Sequence, residues 1–164
     1  MIKTDIFPEF RPETRVWVYA FPRKLNDQER KIVQLRLDQF VQDWKSHQDD
    51  VRGDFHIAYD QFVFLTGESI EKVSGCSIDS SVRVFKELRD QHDIDGLDRG
   101  RVYYRDHDEI LNTTRAEFQN LVSTGKVKQE TVVFDNSIHT VGELHQGKWE
   151  IPFSQSWHAE AFAG

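Results

Sequence analysis

The 164-residue sequence has one cysteine and four prolines, and it contains no long apolar run. One cysteine excludes an internal disulfide, which is typical of proteins that stay in a reducing compartment. No stretch approaches the ~20 apolar residues that cross a bilayer. The opening residues, MIKTDIFPEF, lack the basic start and apolar core of a secretory signal. These absences predict a cytoplasmic protein that does not span a membrane.

Catalytic and cofactor motifs are missing as well. The sequence has no GxSxG, no GxGxxG after a strand pattern and no GxxxxGKS/T phosphate-binding loop. Its seven histidines never occur in HExxH spacing or beside a CxxC pair. We therefore predict neither a metal site nor a cofactor.

An excess of acidic residues argues against a nucleic-acid-binding protein. The 28 acidic and 21 basic residues give a formal charge of −7, and no basic cluster interrupts it. Such a surface repels a phosphate backbone, so nucleic acid is not an expected partner. The chain does contain twelve phenylalanines and four tryptophans, enough for an aromatic-rich core. Because no repeat or linker divides it, residues 1–164 are predicted to form a single domain.

Apolar periodicity and capping signals predict an alternation of strands and helices. Strands are expected at 15–21, on both sides of a turn at Asp60-Gln61 within 53–67, and at 101–105, 109–113 and 131–134. Helices are expected from Asn26 to near His47, after SGCSIDSS (74–81), from the Thr114–Glu117 capping box to Gly125, and after Thr140.

This order predicts an α+β fold with a mostly antiparallel sheet. The first six elements match the ferredoxin-like, or split βαβ, order, and an added hairpin partner, helix and strand extend it. In a ferredoxin-like sheet the second helix begins at the end where the first helix and the fourth strand finish. His47, Cys76 and the turn after Arg105 are therefore expected to meet at that end.

The stretch SGCSIDSS holds the single cysteine, Cys76, just ahead of the second predicted helix. If Ser74 caps that helix, the thiol faces unpaired N–H groups and the positive end of the helix dipole, which lowers its pKa and makes it a nucleophile. The alternative is a small residue packed beneath the helix, the usual environment of a free cysteine. Without the thiol, Ser77 and Ser80 offer hydroxyls to an anion, but Asp79 would satisfy the same N–H groups by capping.

The segment YYRDHDE (103–109) concentrates charged groups in a predicted hairpin turn. Its carboxylates and His107 suit acid–base chemistry, although a solvated turn is the commoner role of such a run. Arg105, at the end of an aromatic strand, is a candidate clamp for a thiolate or for a ligand carboxylate. His47 is a second candidate base. It lies at the predicted C-terminus of the first helix, where the dipole favours a protonated imidazole.

Most of the chain is spanned, in order, by five segments: GCSIDSSV (75–82), FKEL (85–88), YRDHDEI (104–110), TVVFDN (131–136) and SWH (156–158). Through them the chain resembles a family of uncharacterised small bacterial proteins that often carry the label "ABC transporter ATPase" in sequenced genomes. An ABC ATPase needs a phosphate-binding loop, and this chain has none. The resemblance therefore implies a family without an established activity, and it transfers no catalytic residue.

The sequence leaves two functional hypotheses. The first is a non-catalytic cytoplasmic domain that binds a protein partner or a small anionic ligand, since every recognisable catalytic motif is missing. Its C-terminal SWHAEAF (156–162) is expected to dock on the core through Trp157, or else to form an exposed patch for a homodimer. The second is a small thiol-dependent enzyme, with Cys76 as nucleophile, His47 or His107 as base, Arg105 as anion clamp and Asp79 as the group that orients the base.

Overall fold

The structure, a computed structural model, describes residues 6–46, 51–68 and 75–162, without the side chains of residues 45–46 and 75–79. Its strands, in chain order, are β1 (Arg15–Ala20), β2 (Arg52–Ala58), β3 (Phe62–Glu68), β4 (Arg101–Asp106), β5 (Glu109–Thr114), β6 (Val132–Phe134) and β7 (Glu150–Pro152). Its helices are α1 (Asp27–Ser46), α2 (Gly75–His92), α3 (Arg115–Ser123), α4 (Val141–His145) and α5 (Trp157–Ala161), with a 3-10 turn at Phe153–Gln155. No helix in these ranges has the length and apolar character needed to cross a bilayer.

The strands form two antiparallel sheets. The first has the order β1-β3-β2 and the second the order β5-β4-β6-β7, which confirms the predicted α+β class with mostly antiparallel pairing. A ferredoxin-like sheet would place β4 beside β1. Instead β4 pairs along its whole length with β5, and with β6 through Tyr104 and Val133. The ferredoxin-like arrangement is therefore not confirmed, because these two partners hold β4 in the second sheet.

The β2–β3 hairpin forms where the sequence predicts, but its turn is at Tyr59-Asp60, one residue before the expected Asp60-Gln61. Tyr59 and Asp60 have φ angles of 53° and 55°, as in the type I′ turns that match strand twist. Ala58 then pairs directly with Phe62. Residues 62–65 of β3 are fully buried, because β3 is the central strand and both of its faces are covered.

Separate cores lie on the opposite faces of the first sheet, because side chains alternate along β1. Val18 and Ala20 face the second sheet, whereas Tyr19 and Phe21 face α1 and α2. A third core surrounds Phe118 beneath α3 and α5. The first of these cores contains residues of both sheets and holds them together.

Two predicted capping boxes are confirmed. The N–H of Glu29 donates to Asn26 Oδ1 at 2.8 Å, and the N–H of Asn26 donates to Glu29 Oε1 at 3.1 Å. Thr114 and Glu117 form the same reciprocal pair at the start of α3. These bonds satisfy N–H groups that the first turn of a helix leaves without partners.

The C-terminal segment docks on the third core, but not chiefly through the predicted anchor. His158 and Phe162 are 2% and 6% exposed, whereas Trp157 is only half-buried. His158 and Phe162 are four residues apart and therefore lie on the same side of the short helix α5, the side that faces the core. Trp157 lies beside that side and stays half-buried.

Candidate functional site

A cavity of about 200 Å³ lies between β1 and β4, where the two sheets separate. We call it the inter-sheet cavity. Its walls come from β1, the 96–103 segment, the residues that follow β6, and the starts of α3 and α5. The lining residues are Val18, Ala20, Gly96, Asp98, Arg99, Arg101, Val102, Tyr103, Arg115, Phe134, Asn136, Ser137, Trp157 and His158.

One wall is the outer edge of β1. The N–H of Val16 points away from β3 and donates to the carbonyl of His139 at 2.8 Å. Backbone direction alternates along a strand, so Val18 and Ala20 present their N–H and C=O groups to the same side. The Val18 carbonyl accepts from Arg99 Nη1 at 2.8 Å. Among the described residues no carbonyl pairs with the N–H of Val18 or Ala20, so this stretch of β1 is an open sheet edge.

Three arginines surround the cavity because of the β4–β5 hairpin. Arg101 opposes Thr114 in the antiparallel register, which places Arg115 beside it at the start of α3. Arg99 is two residues before Arg101 and lies with its guanidinium over the ring of Tyr19, at 5.2 Å. The three side chains therefore converge from segments that are separated by up to sixteen residues along the chain.

The charge of the lining is positive, although that of the whole chain is −7. Asp98 is the one acidic residue of the lining, and its Oδ2 lies 3.5 Å from Arg101 Nε. Three arginines against one aspartate leave an excess of two positive charges. The Arg115 guanidinium stacks over the ring of Trp157 at 5.6 Å, which leaves its N–H edges for another acceptor.

Two lining side chains carry buried polar atoms without partners. Tyr103 Oη and His158 Nδ1 form no hydrogen bond within the described part of the chain, and each residue is 2% exposed. An unpaired buried polar group costs about 1–3 kcal/mol. Such groups are rare in folded proteins and are often completed by a water or a ligand.

Both of these groups are neutral at physiological pH. Burial raises the pKa of the Tyr103 hydroxyl, and the nearby Arg101 opposes that shift only in part. Burial lowers the pKa of His158 to about 4; Asp135 opposes this shift and Arg115 adds to it. The positive charge of the cavity therefore comes from the arginines alone, and the tyrosine and histidine add no charge to it.

The segment after β6 closes the cavity floor and is held in place by two indoles. Trp149 Nε1 donates to Asn136 Oδ1 at 2.8 Å, and Trp157 Nε1 donates to Asp135 Oδ1 at 3.1 Å. Beyond them, Thr140 forms a bridge with Arg15 at the start of β1. The segment between β6 and α4 is thus bound to both indoles and to the start of β1 near the cavity.

Arg105, the predicted anion clamp, already has an anionic partner. Its Nε lies 3.2 Å from Glu150 Oε2, and Tyr59 Oη donates to the other carboxylate oxygen at 2.6 Å. The guanidinium also lies 4.8 Å from the centre of the Tyr59 ring. Burial, followed by the Glu150 carboxylate, raises the pKa of Tyr59 to about 12. Arg105 therefore links the two sheets through Glu150.

Arg105 also lies far from the start of α2. The Tyr59 turn is at the end of β1 where α2 finishes, because Arg23, just beyond β1, donates to the carbonyl of Asp93 at 3.1 Å. An 18-residue helix is about 27 Å long at 1.5 Å per residue. The backbone of Cys76 lies in the first turn of α2, at the other end. The expected meeting of Arg105 and Cys76 is not found, because β4 belongs to the second sheet.

Of the remaining predicted site residues, the structure describes the side chains of His107 and Ser80, and His107 lines a surface groove together with Arg105. His107 is exposed in the β4–β5 turn, with Nδ1 3.0 Å from Asp106 Oδ1. Ser80 is half-buried on α2. His47 and the side chains of Cys76, Ser77 and Asp79 lie outside the described residues.

A larger groove of about 510 Å³ runs between the end of β4 and the loop after α3. Its basic residues are Arg105, Lys126 and Lys128. Both lysines are exposed, and Arg105 is paired with Glu150. No described residue of this groove carries a buried polar side-chain atom without a partner. The inter-sheet cavity is therefore the stronger candidate for a built site.

Sequence reasoning missed the residues of the inter-sheet cavity. The segment DRGRVYYR (98–105) does carry a signal, because alternation puts Arg101, Tyr103 and Arg105 on one face of a strand. Nothing in the sequence shows that His158, some 55 residues later, packs beside that strand. Its burial depends on the docking of α5.

Comparison with protein-family models, with curated proteins and with solved structures finds no match to this chain. Among the described residues, no three histidine, cysteine or acidic side chains come together as metal ligands would. Function is therefore inferred from the residues of the cavity themselves.

Proposed function

We propose that the chain is a non-catalytic cytoplasmic binding domain whose ligand is a small anion held in the inter-sheet cavity. One observation supports this most directly. Three guanidinium groups, opposed by a single carboxylate, line a partly open cavity between the two sheets. Guanidinium groups bind carboxylate and phosphate oxygens in a bidentate manner, and a concave site with a small number of polar groups is the usual form of a small-molecule pocket.

A binding role fits the lining better than a catalytic one. A general base works best when its pKa is near the operating pH, and the pKa of His158 is about 4. Ser137 Oγ donates to Asp135 Oδ1, an oxygen that also accepts from the Ser137 N–H and from Trp157 Nε1 and so holds the segment in place. The lining residues within the described ranges thus offer contacts for an anion but no pair suited to proton transfer.

The position of the cavity also suggests how the fold provides it. We interpret β1, α1, β2, β3 and α2 as the first five elements of a ferredoxin-like unit, with β1 at the edge where the fourth strand would pair. In this interpretation the departure of β4 leaves an open strand edge, and the cavity occupies the space of the missing pairing.

The family resemblance, a homodimer and the thiol-dependent enzyme stay predictions. In the enzyme hypothesis the proposed anion clamp is Arg105, which is bound to Glu150. That hypothesis therefore now rests on the backbone position of Cys76 in the first turn of α2.

Anion binding is tested by titrating the ¹⁵N-labelled protein with benzoate, succinate and inorganic phosphate, with benzyl alcohol as an uncharged control. We expect at least one anion to shift the amide signals of residues around the cavity, including Val18 and Ala20. Arg101→Met and Arg115→Met are each expected to weaken that binding about 10- to 100-fold, since a hydrogen bond to a charged group contributes about 1.5–3 kcal/mol.

The matched control is Arg89→Met, which removes the same charge from the exposed end of α2, where Arg89 pairs with Asp90. This variant should bind as the wild type does. The proposal fails if no anion perturbs the cavity, or if all three arginine variants weaken binding equally, because the second result would indicate a nonspecific effect of net charge.

A further inference from the structure

We infer that the outer edge of β5 is a self-association surface, where a second copy of this chain pairs and joins two four-stranded sheets into one sheet of eight strands. The inference concerns a different surface from the inter-sheet cavity and does not depend on the anion proposal. It rests on the backbone groups that β5 leaves unpaired, on the protection of the other strand edges, and on the register that β5 allows with itself.

The strand β5 lies at the edge of the second sheet and has unpaired backbone groups on its outer side. The N–H of Thr114 donates to Glu117 Oε2 at 3.4 Å, so it points away from β4. Because this direction alternates along a strand, the N–H and C=O groups of Ile110 and Asn112 also point away from β4. No backbone group of the described residues pairs with them.

The other strand edges are protected in the ways that proteins use against unwanted pairing: charge, proline, short length or burial. On β2 the Phe55 N–H donates to Asp54 Oδ1 at 2.8 Å. The strand β7 has three residues and ends at Pro152. The open stretch of β1 is buried at the wall of the inter-sheet cavity, beside Arg99. The six residues of β5, EILNTT, include no proline, glycine or basic residue.

The geometry of β5 selects one symmetric register. Two copies related by a two-fold axis pair the same strand with itself in antiparallel orientation. If Leu111 lies on the axis, Ile110 of each copy opposes Asn112 of the other. The N–H and C=O groups of both residues then pair across the interface. An axis at Asn112 would instead require the backbone of Thr114, which already caps α3.

The side chains of β5 fit a second copy in this register. Leu111 is half-buried, and within the described ranges it packs against none of the three cores. On the axis it would meet Leu111 of the second copy in a pair without backbone hydrogen bonds, where side chains are closest. The exposed carboxylates of Asp106 and Asp108 would lie near Arg115 of the second copy, which is exposed at the start of α3. Apolar contact at the axis and opposite charges beside it both favour this pairing.

The test is sedimentation velocity of the full chain from micromolar to millimolar concentration, where we expect a reversible dimer. Leu111→Lys should weaken dimerisation at least about 10-fold, because it removes the leucine contact and places two like charges opposite each other. Leu35→Lys is the matched control, since Leu35 is 66% exposed on α1, and it should dimerise as the wild type does. An equimolar mixture of Leu111→Lys and Leu111→Glu should recover the dimer, because position 111 then pairs opposite charges.

The register is tested by cross-linking in a Cys76→Ser background, which removes the only native cysteine. Leu111→Cys should form a disulfide-linked dimer under mild oxidation, because directly opposed residues of such a pair have Cα atoms about 4.5 Å apart, within disulfide range. Thr113→Cys, on the same face of β5, is the control and should not cross-link, since it would oppose Glu109 of the second copy.

The cysteine pair decides by itself if Leu111→Lys does not fold. A monomer at every concentration would overturn the inference, as would a dimer that Leu111→Lys leaves unchanged. Equal cross-linking of Leu111→Cys and Thr113→Cys would also overturn it, because the contact would then lack the inferred register.

Discussion

At the scale of single residues, the molecule keeps two polar groups buried without partners beside the same cavity. His158 stacks on Trp157 with ring centres 3.9 Å apart and also lies against Phe118 and Phe162. This aromatic surrounding supplies no hydrogen-bond partner, and it disfavours the charged imidazole. The result is a histidine that stays neutral well below the pH at which an exposed histidine takes up a proton.

The buried histidine predicts a pH dependence of stability. The pKa of His158 falls from 6.5 to about 4 on folding, so between these values the unfolded state binds a proton that the folded state does not. The free energy of unfolding should therefore rise with pH from about 4 to 6.5, by on the order of 3 kcal/mol from this residue. Urea denaturation of the wild type and His158→Phe at pH 4.5 and 7.5 measures the effect.

The variant should lose most of that rise, because phenylalanine does not titrate. His107→Gln is the control: its side chain is 94% exposed, and its curve should follow the wild type. An unchanged pH dependence in His158→Phe would show that His158 titrates normally in the folded state.

At the scale of secondary-structure elements, the last turns of α1 pack closely on the first sheet through one large ring, that of Trp44. Gly53 of β2 and Gly67 of β3 are directly paired, and the indole of Trp44 covers both. A Cβ atom on Gly53 would lie 2.7 Å from Trp44 Cε3, and one on Gly67 would lie 2.8 Å from Cζ3. The two glycines are therefore required for the close approach of the helix to the sheet.

Gly53→Ala should destabilise the fold by about 1–3 kcal/mol, the usual cost of overpacking a core. Urea denaturation with an unchanged m value is the measurement. A double-mutant cycle with Trp44→Phe identifies the cause, because a smaller ring relieves the contact. The loss in the double variant should be smaller than the sum of the two single losses; strict additivity would mean that the indole is not responsible.

At the scale of the whole molecule, two sheets share one core and are joined at their edge by a polar contact. Tyr59 comes from the β2–β3 turn of the first sheet, whereas Arg105 and Glu150 belong to β4 and β7 of the second. The carboxylate of Glu150 accepts from both partners. Because Tyr59 and Arg105 come from different sheets and both bind Glu150, this contact holds the two sheets together at their edge.

Tyr59→Phe should lower the free energy of unfolding by about 1–2 kcal/mol, because it removes a hydrogen bond to a charged acceptor at a half-buried site. Thermal and urea denaturation measure this change. Tyr104→Phe is the matched control, since Tyr104 is also half-buried and no hydrogen bond contributes to the shift of its pKa. It should change stability by no more than about 0.5 kcal/mol, and equal losses in the two variants would contradict the role of Glu150.

Local patterns were enough to predict most of the elements. The strand expected at 15–21 is β1 at 15–20, and the capping pairs Asn26–Glu29 and Thr114–Glu117 mark helix starts in the structure. β7 (Glu150–Pro152) was not predicted. Three residues are too few for an alternating pattern, and this strand exists because it pairs with β6.

The candidate site was much less predictable. Arg105 was singled out as a clamp for a thiolate or a ligand carboxylate, but the carboxylate that it faces in the structure is Glu150, 45 residues away in sequence. Arg101 and Tyr103 could be placed on one face of a strand, yet what faces them depends on β1 and on α5. Sites assembled from distant segments leave no spacing rule in a single sequence.

The sequence by itself determined the composition of the core, the kinds of element and most of their ends, because these depend on contacts within a few residues. Only the tertiary structure decided which strands pair. The pairing of β4 with β5 and β6, and not with β1, depends on hydrogen bonds between segments far apart in the chain. That choice opens the edge of β1, brings three arginines to it and buries Tyr103 and His158 beside them.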